Sequence, residues 1–282
     1  MRFFSIESRL KRRYRAAYQQ ASILAARATA HPASDFFDKQ INTDAWRLRQ
    51  IVVMSKQNTL YVPIPKNANS KTRRILAEVR GVRNPFVASK SKKFRQVLTA
   101  ADISIQEFYR ILHSPDRFSF AIVRNPYKRI VSAWANKFRG RPLVTGPLFQ
   151  KQPTELNLYL SLRESIDPSL PAGADATLDF DRFLDYVSAI IGKRYDQHIE
   201  TQSSFLDFSF MPIDRIIRME NYSKDMLPVL EHIKAPASIA AQLDERVNAS
   251  GLEKTEYAIT PAQKKKIEAL YGKDIERFGY EN

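Results

Sequence analysis

The stretch from Tyr61 to Leu76 constrains the fold more than any other part of the chain. Tyr61-Val62-Pro63-Ile64 closes an apolar run that begins at Leu60, and Pro65 stops it. Lys66-Asn67-Ala68-Asn69-Ser70 then turns into a segment of helical character whose first turn carries Lys71, Arg73 and Arg74. The reading is strand, turn, helix. Such a junction favours anions, because unpaired backbone N–H groups and the positive end of the helix dipole converge there. Set against the phosphate-binding pattern G-x-x-x-x-G-K-[ST], residues Pro65 to Thr72 keep the length and the closing Lys-Thr but have neither glycine.

A second stretch repeats the design. Phe118 to Val123 reads as a buried strand, Arg124-Asn125-Pro126 as the turn, and Tyr127 to Phe138 as a helix with Asn125 as N-cap and Pro126 at its first position. Ile130, Val131, Trp134 and Phe138 form its packing stripe, and Ser132 lies off that stripe. A magnesium-dependent nucleotide kinase would need an acidic metal ligand at such a strand end, whereas this chain has Arg124. A cation suits a phosphate, although a surface ion pair would use the same residue. Two strand-turn-helix units imply an α/β fold: a P-loop-like three-layer sandwich, with a central parallel sheet flanked by helices. In open α/β sheets ligands bind outside the carboxyl ends of the strands, so both turns are expected at one crevice.

The segments PKNANSKTRR (65–74) and VRNPYKRIVSAWANKF (123–138) resemble the donor-binding motifs of sulfotransferases, in particular the Golgi carbohydrate branch of chondroitin 4-O and HNK-1 type. DFDRFLDYV, DQHIETQ, DRIIRMENYSKDM, RVNAS and LYGKDIERFGY follow in that family's order, so the likeness runs from about Tyr61 to Tyr280. It implies transfer of a sulfuryl group from 3′-phosphoadenosine 5′-phosphosulfate to a hydroxyl acceptor, a carbohydrate in that branch, with no metal. By the same resemblance Lys66, Asn67, Ala68, Asn69, Ser70, Lys71, Thr72 and Arg73 hold the 5′-phosphate side, and Lys66 also acts on the bond being broken. Arg124 and Ser132 take the 3′-phosphate. Asn248 and Ser250 match the family's Asn-x-Ser motif, and Lys254 with Arg246 is expected to reach the donor's phosphates. His198 matches the histidine of the family's HW-P segment, with Ile199 in place of the tryptophan, and is the candidate general base; Glu220, Glu200 and His113 are the fallbacks.

Charge and composition narrow the partners. Lys and Arg number 45 against 30 Asp and Glu, a net charge of +15, which points to anionic ligands without choosing among them. An acidic acceptor fits this charge, and nucleic acid is not expected. The absence of cysteine excludes disulfides and thiolate chemistry. No apolar run approaches ~18 residues, and the first residues lack the apolar core of a secretory signal. The eukaryotic members of the resembled branch are membrane-anchored and commonly disulfide-bonded, so a cytoplasmic, bacterial version is expected here.

Residues 1–45 read as a basic helical arm and 46–282 as the sulfotransferase domain. In the arm Phe3, Ile6, Leu10, Tyr14 and Tyr18 recur at helical spacing among arginines and lysines. The stripe suits packing on the core or a partner subunit, and equally a peripheral membrane contact. Ile51 to Met54 is expected as a strand turned back through Gln57-Asn58, Asp102 to Leu112 as a helix, and Gly140 to Thr177 as a long Pro- and Gly-rich excursion suited to acceptor recognition. Further helices are expected over Asp179 to Ile191, from Glu220, and from a Thr260-Pro261 capping box, with a strand near Ile213 to Arg218. Two other functions remain compatible with the residues alone: a P-loop-like small-molecule kinase, and a basic polyanion-binding protein without catalysis.

Overall fold

The computed structural model describes residues 18–41, 50–82, 97–139, 178–193, 196–244 and 257–281. They fall into two compact units. The first draws on Met1–Ile64, Ala68–Ile122 and Phe205–Glu245, and the second on Pro65–Asn67, Val123–Ser204 and Arg246–Asn282.

In the first unit a helix over 18–28 (α1) and a short helix α2 (Pro32–Phe36) precede the sheet. The sheet has the order β1 (Val52–Met54), β2 (Thr59–Val62), β3 (Phe118–Val123) and β4 (Arg215–Arg218). β2 and β3 run parallel, with Thr59 opposite Phe118 and Val62 opposite Ala121. β1 is antiparallel to β2. Only a few residues join these two strands, too few for a parallel crossover, and Asn58 closes the connection in the left-handed region at φ 45°. Every residue of β2 is buried, as expected of a strand covered on both faces.

The helices around this sheet are α3 (Asn69–Val79) and α4 (Ile105–Leu112), later α8 (Tyr222–His232) and α9 (Ala237–Ala240). Tyr61, Ile75, Leu76, Phe120, Ile122, Ile217, Met226 and Val229 share one core, in which the Tyr61 and Phe120 rings stack 4.9 Å apart. α4 starts later than the sequence suggests. Ser104 caps it, its Oγ accepting from the Glu107 N–H at 3.1 Å, while Asp102 completes the preceding turn with Thr99. Likewise α8 begins at Tyr222, after a short turn over Met219–Asn221. The described part of the arm packs on this unit: Ala26 and Ala33 are buried with Ile105, and Gln19 donates to the Ala100 carbonyl at 3.0 Å. The first turns of the arm, the basic segment 83–96 and the excursion 140–177 lie outside the described residues.

The second unit is helical. α5 (Pro126–Lys137), α6 (Phe180–Ile190) and α10 (Pro261–Arg277) surround a core of Ile130, Trp134, Phe180, Phe183, Val187, Ile199, Ile267 and Tyr271. A one-turn helix, α7 (Gln202–Leu206), comes after α6 in the chain. The caps are those the sequence encodes. Asn125 accepts from the Lys128 N–H at 3.2 Å, Asp179 from Arg182 at 2.9 Å, and Thr260 and Gln263 form a reciprocal box. Among the described residues no helix is long and apolar enough to cross a membrane.

Candidate active site

The turn after β2 lacks the glycines of a P-loop but keeps the backbone conformation that glycines favour. Lys66 (φ 73°) and Ala68 (φ 52°) both sit in the left-handed region. A side chain there costs roughly 1–2 kcal/mol, a strain that persists where surrounding contacts fix the backbone. Those contacts are present in the second unit, where each residue of Pro65–Asn67 has its own holder. Arg129 Nε donates to the Pro65 carbonyl at 3.1 Å, Arg124 Nη1 to the Lys66 carbonyl at 3.3 Å, and Asn67 Nδ2 to Gln202 Oε1 at 2.6 Å. Asn67 is fully buried.

Gln202 and Arg129 extend this lock. Gln202 Oε1 also accepts the Arg124 N–H at 2.9 Å, and its Nε2 donates to the Arg124 carbonyl at 2.9 Å. The backbone N–H groups of Gln202 and Ser203 in turn donate to the buried carboxylate of Asp274, at 2.6 and 2.8 Å. Arg129 is 2% exposed, and its Nη1 donates to the Glu200 carbonyl at 2.7 Å. Burial pulls the Arg129 pKa below the ordinary arginine value, against the fields of Tyr271, Asp274 and Asp196. Ser132 is half-buried on α5.

In the first unit the chain resumes at Ala68, and α3 begins without a side-chain cap. An uncapped helix start is where an anion gains most from backbone N–H groups. Arg73 braces the first turn: its Nε donates to Asn69 Oδ1 at 2.9 Å and its Nη2 to the Gln50 carbonyl at 3.2 Å. Burial lowers the Arg73 pKa, partly offset by Tyr61. Ser70 is half-buried.

Thr72 is engaged within its own unit. Its side chain is fully buried, and its hydroxyl bonds to the Ala68 carbonyl and to the Tyr222 hydroxyl, each at 3.1 Å. Helical periodicity turns position 72 into the core shared with α8. Lys71 is engaged as well: its ammonium donates to the Leu243 carbonyl and lies 4.7 Å from the centroid of the Tyr222 ring. A phosphate would have to draw Lys71 away from both.

His198, in the second unit, is oriented by an acid two residues back. Its Nδ1 lies 2.7 Å from Asp196 Oδ1, and the same oxygen accepts the His198 N–H at 2.9 Å. A carboxylate can only accept, so Nδ1 carries the proton and Nε2 of the neutral ring is left as a base. The fallbacks have other employment or another setting. Glu200 is buried, its carboxylate accepting the Gly192 N–H at 3.0 Å. His113 stacks on Tyr109 in the first unit, and Glu220 is exposed. Asn248, Ser250, Lys254 and Arg246 lie outside the described residues.

Sequence reasoning missed Gln202, Asp274, Arg129 and Asp196 as parts of this arrangement. Arg129 had a readable signal: it occupies a core position of α5, in helical register with Pro126, Ile130 and Ala133, where a cation needs buried partners.

Over 208 residues the chain is 28% identical to carbohydrate sulfotransferase 14 of mouse (Mus musculus), covering 73% of this chain and 52% of that protein. Carbohydrate sulfotransferase 14 of human (Homo sapiens) matches with the same identity and coverage. The chain thus spans about half the length of the curated relatives it matches. No solved structure matches it. The family model described as "Sulfotransferase family" matches residues 49–281, and the chain belongs to that family.

Proposed function

We propose that this protein transfers a sulfuryl group from 3′-phosphoadenosine 5′-phosphosulfate to a hydroxyl of a carbohydrate. The observation that carries the proposal is the turn after β2, strained at Lys66 and Ala68 and held residue by residue from Pro65 to Asn67. The residues fit a donor with phosphate at both the 3′ and 5′ positions. An uncapped helix start with Asn69 and Ser70 suits the 5′-phosphate, while Arg124 and Ser132 suit the 3′-phosphate. Lys66 stabilises the negative charge that develops on the bridging oxygen as the S–O bond breaks. His198 Nε2 takes the proton of the attacking hydroxyl, and Asp196 stabilises the imidazolium so formed. The names of the matched relatives support a carbohydrate acceptor.

The test is thermal unfolding with adenosine 3′,5′-bisphosphate in the presence of chelator, compared with ATP plus magnesium. At ~100 times its dissociation constant the bisphosphate should add ~2.7 kcal/mol. A shift with ATP and magnesium alone would replace this reading with a kinase.

A further inference from the structure

We propose that Gln202 is a positioning residue that sets donor affinity by fixing Arg124 and Asn67 in one geometry. The inference rests on the sulfotransferase reading above. A single primary amide makes three bonds here: Oε1 accepts from Asn67 Nδ2 at 2.6 Å and from the Arg124 N–H at 2.9 Å, and Nε2 donates to the Arg124 carbonyl at 2.9 Å. The amide treats the Arg124 peptide as a neighbouring strand would, at the point where β3 ends. Its orientation is unambiguous, because the Arg124 N–H can only donate and the Arg124 carbonyl can only accept.

Gln202 is itself fully buried, and its own N–H is pinned by the Asp274 carboxylate at 2.6 Å. A chain of bonds therefore runs from α10 through Gln202 to the turn that carries Asn67 and to the backbone of Arg124. Arg124 in turn reaches the Lys66 carbonyl at 3.3 Å. No substrate atom need touch Gln202 for it to matter. It determines where the groups that take the donor are held, and small displacements of such groups are costly.

The test uses the full chain with adenosine 3′,5′-bisphosphate as probe and reads affinity by calorimetry, turnover by sulfate transfer, and folding by circular dichroism. Gln202→Leu keeps the volume and loses all three bonds. It should weaken bisphosphate binding by about 10²-fold and leave the Michaelis constant for the acceptor near wild type. Gln202→Glu supplies the readout that a merely structural role would not move. As a carboxylate it cannot donate to the Arg124 carbonyl, whereas as a carboxylic acid it can. The ratio of its affinity to that of wild type should therefore rise as pH falls through the carboxyl pKa. If Gln202→Leu does not fold, Gln202→Glu carries the test alone. A folded Gln202→Leu that binds like wild type, or a Gln202→Glu ratio that is flat with pH, overturns this inference and leaves the donor reading standing. A wild-type protein that does not bind the bisphosphate overturns both.

Discussion

The guanidinium of Arg129 donates to the carbonyl of Pro65, 64 residues earlier in the chain, at 3.1 Å. This bond ties the helix of the second strand-turn-helix to the turn of the first. It also explains why a buried cation is tolerated: Arg129 has the Pro65 and Glu200 carbonyls as acceptors and lies in the field of Asp274 and Asp196.

Arg129→Met should therefore destabilise the protein by about 3–5 kcal/mol, since it strands two carbonyls and leaves the buried acids without their cation. Arg129→Lys should recover only part of this, because an ammonium lacks the fork that reaches both carbonyls. Denaturant unfolding checks it; a loss below ~1 kcal/mol for Met would show the bonds to be dispensable.

Thr72→Val separates packing from binding at the start of α3. Removing a hydroxyl that bonds to Tyr222 at 3.1 Å should cost about 1–2 kcal/mol of stability. If the hydroxyl serves packing alone, affinity for adenosine 3′,5′-bisphosphate should stay within about twofold of wild type. A large loss of affinity without loss of stability would return Thr72 to the phosphate site.

The elements were legible where their signals are local. Asn125, Asp179 and Thr260 announce helix starts because a capping side chain bonds within three residues of itself. The parallel pair β2 and β3 follows from two apolar runs, each ending in a turn with a basic residue. Gln202 was not legible, because its partners Asn67 and Arg124 are 135 and 78 residues away and nothing in a lone glutamine names them. The packing of Thr72 was hidden for another reason. The Lys-Thr pair matches a sequence pattern, but which side of a helix reaches a ligand depends on the packing of α8, and Tyr222 claims that hydroxyl.

Arg124 and Lys66 should separate in kinetics. In the proposed roles Arg124 is a phosphate partner, so Arg124→Ala should mainly weaken donor binding, whereas Lys66 acts on the charge developing on the leaving oxygen, so Lys66→Ala should mainly lower turnover. Steady-state kinetics beside direct bisphosphate titration distinguishes the two. Equal losses of affinity in both variants with turnover intact would contradict the assigned roles.

Tyr127 gives the fold a marker at alkaline pH. Burial first, then its hydrogen bond to Glu268 at 2.8 Å, pushes its pKa up to about 12. A folded pKa raised above the unfolded value of about 10 means that the native state holds the proton more tightly. Its contribution is complete below pH ~10 and is lost as pH rises towards 12. Tyr127→Phe should show a shallower decline of Tm across that window than wild type, and parallel curves would remove Tyr127 from the account.

His198 carries the chemical prediction. A positioned base near neutral pH typically contributes ~10²–10⁴-fold, and Asp196 at 2.7 Å fixes the tautomer that leaves Nε2 to accept. His198→Ala and His198→Gln should both lose turnover by about that factor while bisphosphate affinity stays near wild type. Asp196→Asn should lose less turnover than removal of the ring, because the imidazole remains but its tautomer is no longer imposed. The pH profile of kcat should lose its acid limb in His198→Gln, since that limb reports protonation of the base. Near-normal turnover in either His198 variant, with donor and acceptor saturating, would exclude His198 as the base, and Glu200, Glu220 and His113 would be the next positions to substitute.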